Sequence, residues 1–496
     1  MTSTRDLGSL SEQKRLLLDR YLRGEIRHES TGSQVIQRRP PGEKAPLAFA
    51  QEELWRREQA TAIPALYNEI ITIRKRAPLD VAALERSLTE IARRHEVWRT
   101  TYTIADGKPI QVVHEPAAMM HLPIVDLQHL PEAEADAAIR RLASEQAQKR
   151  FDFVEGPLWR AVLFRTITED RLCIVAHLSI VDGISVYQVL PVELASLYTA
   201  FSRGRGAPLS DVPLQYGDYA YWQHANAESE QTQEQLGYWR KQLSGDLPVL
   251  AWPHRPRPPV QTFRGVVESF AVGSALTNSI RELSRGEGVT VFTILFSAFA
   301  CVLAGYTKQQ DLIIGTRSPA GRKHAEVQKL LGYFLNPVAV RIDLNGDPTF
   351  RQVLLLSQRA IAGAISNDDI PFEKLAAMMD SRRDPSRNPL FTVAISLQPT
   401  TPEPCKDWHV TSMDGDSGGA VWDLYIAFID SANGLVGRAQ YNPDVCGRED
   451  IDGLIRDLTA ILKKAVADPL SRASALMPAP SHIHPPDDLE CKVQGQ

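Results

Sequence analysis

One stretch of the sequence concentrates residues able to do chemistry: Val175-Ala176-His177-Leu178-Ser179-Ile180-Val181-Asp182-Gly183-Ile184-Ser185. An imidazole exchanges protons near neutral pH. A carboxylate orients or pairs with a cation, and a hydroxyl becomes a nucleophile once a base takes its proton. The stretch reads as a strand running into a Gly turn and then a helix, which places His177 at a strand end. A histidine there suits acid–base chemistry, and it equally suits a structural hydrogen bond in the core. Neighbours in a strand face opposite sides, so if position 178 faces a cavity, His177 points into the body of the protein. Ser185 with Gln188 fits a capping box. Val189, Leu190, Leu194 and Leu197 supply the helix face, and Pro191, which lacks an N–H, is expected to kink it.

The elements around this turn alternate short apolar runs with longer amphipathic ones, the pattern of an α/β protein. Val81 to Arg93 reads as a helix with Leu84, Leu88 and Ile91 on one face, and Leu10 to Arg23 as another. Arg171 to Leu178 is strand-like, Val291 to Ala304 an apolar helix and Asp311 to Ile314 a buried strand. The polar segment Gly24 to Lys44 reads as a linker whose Arg38-Arg39 pair is solvated. A Pro- and Arg-rich stretch, Trp252 to Pro259, interrupts the alternation and places a boundary between two lobes within 225–262. The expected division is 1–44 helix and linker, 45–225 first lobe, 226–470 second lobe and 471–496 disordered tail.

At 496 residues the chain exceeds one small domain, and its net charge of −5 carries no nucleic-acid footprint. The first twenty residues have no apolar signal region, and no run approaches the ~20 apolar residues needed to span a bilayer. No nucleic-acid or membrane partner is therefore expected. Cys173, Cys301, Cys405, Cys446 and Cys491 are scattered and form no CxxC pair. That argues for free thiols in a reducing cytosol, with neither a disulfide framework nor a zinc site. His482 and His484 are too few for a metal site by themselves.

The stretch His177 to Gly183 resembles the His-His-x-x-x-Asp-Gly motif of the condensation domains of nonribosomal peptide synthesis, matching it at the first His, the Asp and the Gly. Six further stretches resemble family motifs in the family's order: Phe49 to Trp55, Arg94 to Thr100, Tyr216 to Trp222, Gly332 to Pro337, Asp368 to Glu373 and Arg383 to Leu390. The resemblance covers roughly 45–470. It implies two chloramphenicol-acetyltransferase-like lobes in a V, a pseudo-dimer with a central tunnel open at both ends. A carrier protein's phosphopantetheine arm would deliver an acyl thioester from one side. An acceptor, either a small amine or a second carrier protein's load, would enter from the other. No cofactor of the chain's own and no metal is expected. The residues after the second lobe are too few for an adenylation or carrier domain, so a free-standing protein with carrier partners in trans is expected.

The resemblance assigns the second His of the motif to the reacting centre, where it positions and deprotonates the acceptor. Here that position is Leu178. It makes the first His, His177, structural and pairs Asp182 with an arginine, for which Arg322 in Ser318-Pro319-Ala320-Gly321-Arg322 is the candidate. Ser179, Tyr187 and Asn336 are candidates to line the tunnel beside Leu178 and Gly183. Heterocyclising relatives carry Asp at the first motif position, where this chain has His177, which disfavours cyclisation. Oxygenase-recruiting relatives alter the second His, as here, but also the Gly, which Gly183 retains. Two functions are expected in competition: amide-forming acyl transfer without the usual base, and a silenced domain that docks a carrier protein or recruits a tailoring enzyme.

Overall fold

The computed structural model describes residues 35–477 apart from 62, 64, 77, 254, 380–383, 401–407, 413–415 and 432–433. The expected helix at Leu10 to Arg23, Arg383, Cys405, Cys491, His482, His484 and the tail from 478 lie outside the described residues.

Among the described residues, two sheets organise the chain. The first has five strands in the order β11-β1-β6-β5-β4, with β1 at Asn68–Arg76, β4 at Ile124–Asp126, β5 at Trp159–Arg165, β6 at Glu169–His177 and β11 at His409–Ser412. The central strand β6 is buried along nearly its whole length because β1 and β5 flank it and helices cover it. A separate hairpin joins β2 (Thr100–Ala105) to β3 (Lys108–Val113). Its turn residues Asp106 and Gly107 both have positive φ, the backbone that a two-residue turn between twisted strands requires. The helix α2 at Val81–Arg94, which follows α1 at Phe49–Ala60, is capped by Asp80, whose carboxylate accepts from the Ala83 amide at 3.1 Å. It buries Leu84, Leu88 and Ile91 as its periodicity predicts.

The second sheet has six strands in the order β7-β13-β12-β10-β8-β9. They are β7 (Val266–Ala271), β8 (Asp311–Ser318), β9 (Asn336–Asp343), β10 (Val393–Gln398), β12 (Leu424–Ser431) and β13 (Gly434–Tyr441). The helix at Val291–Thr307 is buried on every side, which explains its apolar residues all round. No single helix among the described residues is long and apolar enough to cross a membrane.

The two halves exchange structure. Strand β11 lies in the expected second lobe by sequence but pairs antiparallel with β1 of the first sheet. It satisfies backbone groups that the edge of β1 would otherwise expose. The loop bearing Val327, Leu330, Leu331 and Phe334 likewise packs into the first core.

Two expectations at the chain ends need correction. Arg39 is not simply solvated, because it pairs with Asp218 at 2.9 Å and reaches Glu96 at 3.7 Å. The tail expected from 471 is folded as far as 477: Ala473 and Leu476 are buried, and the Phe350 amide donates to the Ser471 carbonyl at 2.9 Å. The Ala473 amide donates to the Pro348 carbonyl at 2.8 Å and Ser474 donates to the Asp347 carboxylate, so hydrogen bonds as well as apolar burial hold this turn.

Candidate active site

Strand β6 ends at His177, and the chain then makes one 3-10 turn, Leu178–Ile180. The expected capping box at Ser185 does not form. Asp182 is the cap instead: its Oδ1 accepts from the Ser185 amide at 2.7 Å and its carbonyl from the Val186 amide at 2.9 Å. The Ser185 hydroxyl turns to the other half, accepting from the Gly332 amide and donating to the Gly332 carbonyl, both at 3.1 Å. In place of the kink expected at Pro191 there is a π-turn over Ser185–Val189, closed by the Leu190 amide on the Ser185 carbonyl. Pro191 then falls in the first turn of the helix Leu190–Phe201, where its missing N–H costs little.

Asp182 and Arg322 form a bidentate pair, Nε to Oδ2 and Nη2 to Oδ1, both at 2.8 Å and both side chains buried. The remaining Arg322 donors reach the carbonyls of Val327, Gln328 and Leu330 and the Ser185 hydroxyl. The Phe334 amide donates to the same Asp182 carboxylate at 3.3 Å. Every lone pair and proton of the pair thus has a partner, the condition under which a buried ion pair repays its desolvation. The turn carrying position 178 is in this way bolted to the 320–334 segment of the second half. Gly183 permits a close approach there, since a Cβ would meet Gln398 Oε1 at 2.8 Å.

His177 points into the first core, T-shaped against Phe153 at 4.9 Å between centroids. Its Nδ1 accepts from the Ser179 amide at 3.2 Å and meets the Ser179 hydroxyl at 2.8 Å, so the neutral ring carries its proton on Nε2. Burial pushes its pKa down to about 3. The tunnel-lining role expected of Ser179 is not what the structure shows: its hydroxyl is spent on His177 and on Tyr102, which donates to it at 2.9 Å. The 3-10 turn breaks the strand alternation after Leu178 and draws Ser179 inward.

Leu178 sits where three small cavities meet, of about 80, 20 and 20 Å3, and Arg317 walls all three with it. One of the smallest shares Ala50, Glu53, Tyr333 and Phe372 with a cleft of about 1130 Å3 on its far side. Leu178 fills the junction between these cavities and packs with Leu54, Leu66, Tyr67 and Tyr333. Tyr187 lines the 80 Å3 cavity. Asn336 lines the large cleft, but its amide is committed to the backbone of Asp368, Ile370 and Phe372.

The other motif-like stretches hold this centre in place. Gln51 donates to the Ser179 carbonyl at 3.0 Å and to Tyr102 at 3.1 Å. His95 and Arg94 share Glu193, at 2.9 and 3.0 Å. The Tyr216 hydroxyl donates to the Tyr333 carbonyl at 2.5 Å, and Gly332 leaves room for the Tyr216 ring. Arg57 ties three stretches together, reaching Asn388 at 3.0 Å and Glu373 at 2.6 Å from the opening helix.

Charged residues that share the small cavities with Leu178 were not singled out from sequence, among them Arg317, Arg438, Glu69 and Glu53. Arg317 could have been noticed as a charge closing the apolar run Leu312-Ile313-Ile314. Glu53 faces both the large cleft and a small cavity. Burial pushes its carboxyl up to about 8, against the pull of Arg57 and helped by Glu373. A carboxyl raised in the folded state contributes stability that is complete below its unfolded value and disappears as pH climbs through the folded one. Wild-type thermal stability is therefore expected to fall between pH 4.5 and about 8, and Glu53→Gln to flatten that fall. Parallel stability–pH curves for the two proteins would show Glu53 to ionise normally.

The Condensation domain family model matches residues 42–481 of the chain. Chondramide synthase cmdD of Chondromyces crocatus is 36% identical over 444 residues, which cover 87% of this chain and 11% of that protein. Phosphinothricin tripeptide synthetase PhsB of Streptomyces viridochromogenes is 34% identical over 444 residues, covering 88% of this chain and 37% of that protein. The chain thus spans less than half the length of either relative. Among solved structures, the complex of the X-domain and OxyB from teicoplanin biosynthesis aligns with a TM-score of 0.75 at 25% identity, covering 90% of this chain and 98% of the other. The condensation domain of the monacolin K polyketide synthase MokA aligns with a TM-score of 0.76 at 20% identity, covering 87% and 99%. At that identity the likeness concerns the fold alone.

Proposed function

The chain belongs to the condensation domain family of nonribosomal peptide synthesis, and on that footing we propose that it joins a carrier-bound acyl thioester to an amine by positioning, without a general base at residue 178. The observation that carries this reading is the fully satisfied Asp182–Arg322 turn, which presents an apolar Leu178 at the cavity junction. The amine nitrogen attacks the thioester carbonyl, the C–N bond forms as the C–S bond breaks, and the amine's proton leaves with the pantetheine sulfur as a thiol. Holding two reactants in line supplies about 7–11 kcal/mol of a barrier, whereas a general base supplies about 10²–10⁴-fold in rate. An amine of pKa about 8 is already about one-tenth neutral at pH 7, so it tolerates the loss of the base better than an alcohol does. His177 does not replace the base, because its ring is turned away and its free nitrogen faces the core.

The test is acyl transfer from a donor-loaded carrier protein to a panel of amines, read by intact-protein mass spectrometry. Faster unloading with amide product is the expected result. A second reading, a silenced docking domain, draws on the packing of Leu178 against Leu54, Leu66, Tyr67 and Tyr333 and on the likeness to the X-domain seen with OxyB. A protein that binds the loaded carrier and leaves it untouched with every amine would establish that second reading in place of the first.

A further inference from the structure

Arginines inside this protein meet carboxylates: Arg57 with Glu373, Arg94 with Glu193, Arg171 with Asp136, Arg257 with Asp423 and Arg322 with Asp182. Two beside Leu178 do not. Arg317 on β8 and Arg438 on β13 line the 80 Å3 cavity there, and among the described residues neither has a carboxylate at ion-pair distance. Arg317 lies over the rings of Tyr425 and Trp422, at 4.5 and 5.2 Å. The Nε of Arg438 is buried with no hydrogen-bond partner. Leaving such a donor unmatched costs stability, and burial also pushes the Arg438 pKa down.

Sheet register explains how the two converge. Gly315 is level with Ala394, which puts Arg317 level with Ser396; Ser396 pairs with Ala427, and Ala427 with Arg438. The arginines thus stand in one row across the sheet, three strand spacings or about 14 Å apart, with only two small residues between them. Long side chains at the ends of such a row lean over a hollow. Glu69 on β1 lines the same cavity from the opposite sheet and, among the described residues, also has no ion pair. At about 80 Å3 the cavity has room for about five to eight waters, each needing 10–15 Å3.

We propose that Arg317 and Arg438 form a binding site for a substrate carboxylate, and that the substrate is an untethered amino acid acting as acceptor. A guanidinium matches a carboxylate with two parallel hydrogen bonds, and Glu69 offers a counter-charge to the ammonium of a zwitterion. An aminoacyl group tethered as a thioester has no free carboxylate, so the pair selects against it. The acceptor assignment rests on the function proposed above; the carboxylate site does not. A dicarboxylic acyl donor would present the same chemistry.

The experiment is titration calorimetry of the intact protein with each of the proteinogenic amino acids, their methyl esters, and succinyl-pantetheine. At least one amino acid is expected to bind saturably and its ester at least tenfold more weakly. Arg317→Gln and Arg438→Gln should each weaken the acid at least tenfold and leave the ester unchanged. Because Arg438 carries a desolvated charge with an unpartnered Nε, Arg438→Gln should hold or raise the thermal midpoint, where loss of a structural arginine would lower it. Equal binding of acids and esters, unchanged affinity in both variants, or no binding of any amino acid or of succinyl-pantetheine overturns the site. Binding of succinyl-pantetheine alone overturns the acceptor assignment. If amino acids bind as expected but no acyl transfer occurs, the proposed reaction fails and the carboxylate site stands.

Discussion

Asp182→Ala is expected to lose about 3–5 kcal/mol of stability, the usual cost of removing one partner from a buried ion pair. The substitution strips two hydrogen bonds from Arg322 and leaves its charge inside the protein. It also orphans the Ser185 and Phe334 amides. Arg322 is held by three carbonyls of the 327–330 segment, so it cannot swing out to water without releasing that segment from the first core. The measurement is guanidinium unfolding followed by tryptophan fluorescence. The double variant Asp182→Leu/Arg322→Met should recover part of the loss, since it removes the uncompensated charge along with its partner. A single variant as stable as wild type, to within about 0.5 kcal/mol, would be an ordinary surface result and would contradict the role given to the pair.

Leu178→His carries the other large effect, and its size should depend on the nucleophile. With an alcohol acceptor the variant is expected to gain about 10²–10⁴-fold in rate over wild type, the range of a positioned general base. With a matched amine the gain should stay below about tenfold, because the amine supplies its own neutral fraction. The new imidazole would share its cavities with Arg317. A nearby positive charge disfavours the imidazolium, which keeps the ring in the base-competent form at neutral pH. Wild type acting by positioning alone should show an amine rate that rises with pH up to the amine's own pKa and then levels. Equal gains with amine and alcohol would mean that residue 178 governs space at the cavity junction and not proton transfer.

Much of the site was legible because its chemistry is local. The strand, turn and helix around His177 to Ser185 follow from apolar periodicity and from Asp-Gly at the turn, and the helices at Val81 and Val291 followed the same way. The inward ring of His177 was readable from strand alternation. Ser179 was not, because the chain leaves the strand at Leu178 and a 3-10 turn obeys a different period. The Ser185 cap failed for a related reason. Two residues could cap the same helix end, and the burial of Asp182 against Arg322, a contact between distant segments, decided which one does.

The family, the mixed α/β architecture and the absence of an imidazole at position 178 were legible in short motifs of the sequence. The pairing of Asp182 with Arg322, 140 residues apart, was implied by the family resemblance and not by spacing. Only the tertiary structure decided that β11 crosses to the first sheet, that Leu178 closes against Tyr67 and Tyr333, that Glu53 holds its proton beside Glu373, and that Arg317 and Arg438 face one hollow. The physical reason is common to all four. A periodic pattern states which face of an element is apolar, while the partner of that face, the register between strands far apart in the chain, and the desolvation of a charge are set when elements pack together.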